Sequence, residues 1–118
     1  MKWVIQWHER CTVLRFEGDL VVGATQFFEA GVTPWLRVPF APVVLDLSDL
    51  RIIASAGLSS LVKLRNGVVE AGVQLVVVKP AREAWQVLET TRLDRLFDFA
   101  DSVEQAMARV GRTPSATR

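Results

Sequence analysis

The sequence predicts an α/β fold: one domain on a mixed, mostly parallel β-sheet that begins with an N-terminal hairpin and carries about four helices. Three observations predict it. The apolar runs Val43-Val44-Leu45 and Val73 to Val78 read as strands buried on both faces, the pattern of a parallel sheet. Between them, from Ser55, apolar Leu58, Leu61, Leu64 and Val68 recur at helical spacing, with Ser59, Lys63, Asn66 and Glu70 on the other side. Two strands joined by such a helix make a right-handed βαβ unit, hence a parallel pair. Ahead of it, two short runs rich in β-formers, Trp3 to Trp7 and Thr12 to Phe16, flank the polar His8-Glu9-Arg10 and read as a hairpin.

After the hairpin, Gly18-Asp19-Leu20 leaves the sheet. From Ala24 to Leu36 the apolar Phe28, Val32 and Trp35 fall at i, i+4 and i+7, an amphipathic helix that Pro34 should break or restart near Thr33, because proline has no N–H to donate. Pro39 and Pro42 bracket a linker, and the central strand starts behind them, closed by Asp46-Leu47-Ser48. The helix from Ser55 should end at Ala71-Gly72, with glycine taking the left-handed cap. Pro80 opens a third helix, where its missing N–H costs little, with Ala81, Ala84, Trp85 and Leu88 inward. Leu96-Phe97-Asp98-Phe99 fits an edge strand. Asp101-Ser102-Val103-Glu104-Gln105 has capping-box spacing and opens a last helix that buries Val103, Ala106, Met107 and Val110. The domain is expected over residues 1–110, with 111–118 a mobile tail.

A chain of 118 residues suffices for one core, and with half of its residues hydrophobic, including four Trp and six Phe, a packed core is expected. Fourteen basic and 13 acidic residues are interspersed for a net charge of +1, so there is neither a basic stripe for nucleic acid nor a polybasic run for anionic lipid. No apolar run approaches the ~20 residues that span a bilayer, and the N-terminal residues do not read as a signal peptide. The single Cys11 cannot form an internal disulfide, and a cytoplasmic protein is expected.

The residue inventory argues against an enzyme. His8, the only histidine, lies in the hairpin turn, where a surface role is expected rather than that of a catalytic base. One His and one Cys cannot supply a metal with three or four soft ligands, and no glycine-rich phosphate loop follows a strand, so no metal or cofactor is expected. Cys11 reads as a small hydrophobe at a strand start. Trp3, Trp7, Trp35 and Trp85 sit at core periodicities, with Trp3 and Trp7 on a hairpin face that could also form an interface.

The stretch Val43-Val44-Leu45-Asp46-Leu47-Ser48, then Ser55-Ala56-Gly57-Leu58, then Gly72 to Val78, then Val87 to Phe97 with its Leu93-Asp94-Arg95-Leu96-Phe97, and finally Asp101 to Ala106 resembles, in that order, the STAS (sulfate transporter and anti-sigma factor antagonist) domain, specifically the bacterial anti-sigma factor antagonists. Ser55-Ala56-Gly57-Leu58 is similar to the family's Asp-Ser-x-Gly-Leu. The resemblance implies a STAS fold and a non-enzymatic regulatory module that binds an anti-sigma factor or serine kinase of the histidine-kinase-like ATPase type, with phosphorylation at Ser55. The oligomeric state is left open. Departures are specific: Ala54 stands where the family has the aspartate, Val21 where it often has a second acid, and Ala56 in place of a second serine. An alternative from the same family is a structural or transport-associated protein, a scaffold subunit or a cytoplasmic lipid-transporter component, in which Ser55 only caps the helix.

The residues expected to meet a partner are Asp19, Asp46, Ser48, Ala54, Ala56, Gly57, Leu58 and Ser59 around Ser55. Physically, Ser55 can cap the first turn, whose N–H groups have no helical partner, and an anion there would meet the positive end of the helix dipole. Gly57 either lowers the steric wall for a partner or permits close helix-to-sheet packing. Asp46 and Ser48 end a central strand, where open α/β sheets present functional groups, or cap the following turn.

Overall fold

The computed structural model describes residues 1–37 and 41–110. Its five strands form one sheet in the order β1-β2-β3-β4-β5. β1 (Lys2–Trp7) and β2 (Thr12–Glu17) form the antiparallel hairpin, closed by His8 N–H donating to the Cys11 carbonyl at 3.0 Å. β3 (Val43–Asp46), β4 (Leu75–Val78) and β5 (Asp98–Ala100) follow in parallel, with Thr12 opposite Val43, Val43 opposite Leu75 and Val76 opposite Asp98. The sheet is therefore mixed, with its one antiparallel pair at the N-terminal edge.

Period-two alternation divides the core between the two faces. Leu14, Phe16, Val43, Leu45 and Val77 pack with residues of α1 (Thr25–Val32), α2 (Ser55–Ala71) and α3 (Arg82–Thr90), whereas Val13, Val44, Val76 and Val78 pack with Ala106 and Val110 from α4 (Val103–Arg109) and its end. All four residues of β3 are buried, as a central strand covered on both faces requires.

Several punctuation signals act as the chain predicts. α1 ends at Val32 and tightens into a 3₁₀ turn over Thr33–Arg37, where Pro34 cannot supply the α-helical donor. Gly72 closes α2 in the left-handed region at φ 70°. The Ser102 hydroxyl accepts from Gln105 N–H at 3.1 Å, capping α4. Other expectations shift. β4 begins at Leu75, not Val73, because Val73 N–H is still spent on the Val68 carbonyl of the helix end. α3 starts at Arg82, two residues past Pro80, and the edge strand runs Asp98–Ala100. Trp3, Trp35 and Trp85 pack against the core, but Trp7 is 72 % exposed, since the hairpin carries it beyond the helices that cover Trp3. Pro39 and the expected tail, 111–118, lie outside the described residues. Among the described residues, no helix is long and apolar enough to cross a membrane.

Candidate functional site

The site lies where the parallel strands β2 and β3 deliver their chains, at one end of the sheet. Two loops leave there and are stitched together. Leu20 and Ile53 form an isolated parallel bridge: Leu20 N–H donates to the Ile52 carbonyl at 2.9 Å, and Ala54 N–H to the Leu20 carbonyl at 3.0 Å. Carboxylates complete the stitching, with Ile52 N–H on Asp19 Oδ1 at 3.3 Å and Gly18 N–H on Asp49 Oδ2 at 3.0 Å. α2 springs directly from this double loop.

The start of α2 corrects one expectation. Ala54, extended at φ −95° and ψ 173°, occupies the cap position, its carbonyl accepting the first helical bond from Leu58 at 3.0 Å, and no side chain caps the helix. Ser55 is therefore the first helical residue and not a cap; it is exposed, and among the described residues its hydroxyl has no hydrogen-bond partner. No local signal distinguishes these two positions for a serine. The bridge to Leu20, set thirty-odd residues away, decides which residue turns helical first.

The other expected residues divide into two groups. Ser48 and Ser59 are exposed, and Asp19, Ala54, Ala56 and Leu58 are half-buried around the helix start. Two turn inward. Asp46 is only 3 % exposed: its Oδ1 accepts from Ser48 N–H at 2.9 Å, and its Oδ2 lies 3.6 Å from the Arg15 guanidinium, so it holds the turn after β3. Gly57 is buried against the bridge, where an added Cβ would lie 2.5 Å from the Leu20 carbonyl oxygen and 3.0 Å from Ile53 Cγ1. Of the two readings of Gly57, close intramolecular packing accounts for the residue.

Sequence reasoning passed over the apolar rim of the site. Val22 is 75 % exposed, Ile52 56 %, and Val21 is also open to solvent, all in the two stitched loops, while Val62 continues the exposed row of Ser55 and Ser59 along α2. The available signal was valine and isoleucine in loops without periodicity. Ser60, next to Ser59, is unlike it: it is buried, and its Oγ donates to Glu29 Oε2 at 2.6 Å, tying α2 to α1. Arg51 and Glu83 line an open depression beside Asp19 and Ile52. Among the described residues, no cluster of His, Cys, Asp and Glu could hold a metal ion.

Comparison with known proteins agrees with this fold. The STAS domain family model matches residues 2–106. Among solved structures, an anti-sigma factor antagonist of Mycobacterium paratuberculosis superposes with a TM-score of 0.80 at 18% identity, covering 92% of both chains. A candidate anti-sigma factor antagonist of Thermotoga maritima gives 0.78 at 22%, covering 93% of this chain and 95% of the other. The anti-sigma factor antagonist SpoIIAA in its unphosphorylated form gives 0.71 at 16%, over 92% of this chain and 96% of the other. The phosphorylated form of the Bacillus protein gives 0.65 at 15%, over 92% and 99%. At these identities the likeness is one of fold.

Proposed function

The chain belongs to the STAS domain family, and on that premise we propose that it is a non-enzymatic binding module of the anti-sigma factor antagonist type, acting in the cytoplasm and switched by phosphorylation of Ser55. The observation that carries the reading is an exposed hydroxyl at the first residue of α2, on the helix that follows the stitched loops in which the apolar side chains Val21, Val22 and Ile52 stand open to solvent.

The switch follows from electrostatics. A phosphate on Ser55 adds roughly −1.5 to −2 charges at neutral pH, and the N-terminus of a 17-residue helix tolerates them, so the fold survives. A partner seated over Val21, Val22, Ile52 and Leu58 would have to strip water from that phosphate as it buries those side chains, and a desolvated, unpaired anion opposes binding strongly. The unphosphorylated protein thus captures its anti-sigma factor, and the phosphorylated one releases it. The modifying enzyme is a serine kinase of the histidine-kinase-like ATPase type that does not require a carboxylate at position 54.

Ala54 and Val21 favour a second reading, in which a transport-associated or scaffold protein uses the same face without modification. One set of experiments separates the two. The protein is incubated with ATP and the candidate kinase, the modified residue is mapped, and capture of the anti-sigma factor is measured for wild type, Ser55→Ala and Ser55→Asp. The switch requires phosphate on Ser55 and a loss of capture of tenfold or more in Ser55→Asp alone, about 1.4 kcal/mol, with its melting temperature nearly unchanged. Phosphate on Ser59 or elsewhere, or equal capture by all three, rejects the switch.

A further inference from the structure

The outer edge of β1 is a second surface, independent of the Ser55 face. Only β2 pairs with β1, so one side of the strand is open among the described residues. The hairpin fixes which groups lie there. His8 N–H bonds the Cys11 carbonyl one step beyond the Trp7–Thr12 pair, and antiparallel pairs alternate between bonded and non-bonded. Lys2, Val4 and Gln6 therefore exchange main-chain bonds with β2, while the amides and carbonyls of Trp3, Ile5 and Trp7 project from the edge.

The same three residues carry the apolar side chains of the strand. Trp3 is covered by Phe16 and Phe28, with ring centroids 5.2 and 5.6 Å away. Ile5 is 45 % exposed, and the open Trp7 ring leans on Trp35 at 5.2 Å. The usual protections of an edge are absent from β1: it contains no proline, its register runs unbroken from Lys2 to Trp7, and its single charge, Lys2, stands at the very start beside Glu17 at 3.7 Å. The opposite edge, β5, is three residues long and has the Asp98 carboxylate held by Arg109.

We propose that β1 is the interface for a second copy of this chain, the two strands pairing antiparallel about a two-fold axis at Ile5, so that one sheet runs through both molecules. The register argues for a self-partner. With Ile5 facing its own copy, Trp3 stands opposite the partner's Trp7, and each outward N–H meets an outward carbonyl. All side chains keep their faces, so the Trp3, Ile5, Trp7 strip becomes continuous, and Val4 meets the partner's Gln6 on the other side. No charged side chain lies between Trp3 and Trp7, so the two-fold brings no like charges together. β2 and β3 separate this edge from the start of α2, which leaves the Ser55 face open in the dimer.

Sedimentation of the full chain over a wide concentration range tests the proposal. Wild type should pass from the mass of one chain to that of two as concentration rises. Ile5→Lys sets two ammonium groups side by side on the axis, and Ile5→Pro removes an outward donor while sparing the ladder to β2. Each should weaken self-association at least tenfold with circular dichroism and melting unchanged, whereas Val69→Lys, on an exposed turn of α2, should not. A nitroxide on Ile5→Cys in a Cys11→Ala background should report a short label-to-label distance in the wild-type register. A chain that stays single at every concentration overturns the proposal and leaves the edge for a different chain. Self-association that persists in both folded Ile5 variants, or no short distance, overturns it equally.

Discussion

Adding one methyl group at Gly57 tests how the site is positioned. α2 contains Gly57 in its first turn and Gly67 in its interior, and alanine has the higher helix propensity at both, by at most about 1 kcal/mol. The surroundings differ. At Gly67 the new Cβ would meet Leu36 Cδ1 at 2.9 Å, the far end of a side chain that can rotate away. At Gly57 it would meet the Leu20 carbonyl oxygen at 2.5 Å, with Leu20 Cγ at 2.9 Å and Ile53 Cγ1 at 3.0 Å. An ordinary carbon–oxygen approach is about 3.3 Å, so the helix start must retreat by roughly 0.8 Å from a backbone fixed by the Leu20–Ile53 bridge. Overpacking of this kind costs about 1–3 kcal/mol. Gly57→Ala should therefore destabilise by a net 1–2 kcal/mol, roughly, lowering Tm by about 5–10 °C, while Gly67→Ala should be neutral or slightly stabilising. Thermal and urea unfolding of the pair, which shares helix and chemistry, is the assay. Equal stability of the two variants would refute the claim that the bridge positions the start of α2, and with it the rigidity assigned to the Ser55 platform.

Two further predictions concern buried groups. Asp46→Ala leaves Ser48 N–H without its acceptor and Arg15 without its buried carboxylate, and should cost about 1–3 kcal/mol in urea unfolding; Asp46→Asn, which keeps an acceptor oxygen, should cost less. If Asp46→Ala unfolds like wild type yet loses the anti-sigma factor, Asp46 acts on the partner rather than in the turn. Burial pushes the Cys11 thiol above its ordinary pKa, favouring the neutral form in the fold. Its contribution to stability is then full below the ordinary thiol pKa and lost as pH rises through the raised one. Native protein should resist a thiol-exchange reagent at neutral pH and react only on unfolding, and Cys11→Ala should flatten the alkaline decline of stability. A thiol that reacts at once in the native state contradicts this.

Much of the fold was legible because its signals are local. The β-formers of Thr12 to Phe16, the apolar Val43-Val44-Leu45, the proline after Thr33, Gly72 and the Ser102–Gln105 spacing each constrain the dihedrals and donors of a few adjacent residues, and the chain obeys them. The STAS family was legible in the ordered series Val43 to Ser48, Ser55 to Leu58, Gly72 to Val78, Val87 to Phe97 and Asp101 to Ala106. What tertiary structure alone decided is how distant pieces meet. The bridge between Leu20 and Ile53 makes Ala54 the cap and leaves Ser55 exposed as the first helical residue. The same bridge fills the space over Gly57, the Arg15 pairing from β2 draws Asp46 inward, and Glu29 of α1 reaches Ser60 of α2 while its neighbour Ser59 faces solvent. Trp7 obeys a core periodicity yet stays 72 % exposed, with the Trp35 ring beside it. Periodicity states which side of an element is apolar; only the packing of elements far apart in sequence states whether that side is buried, and hence which groups remain for a partner to find.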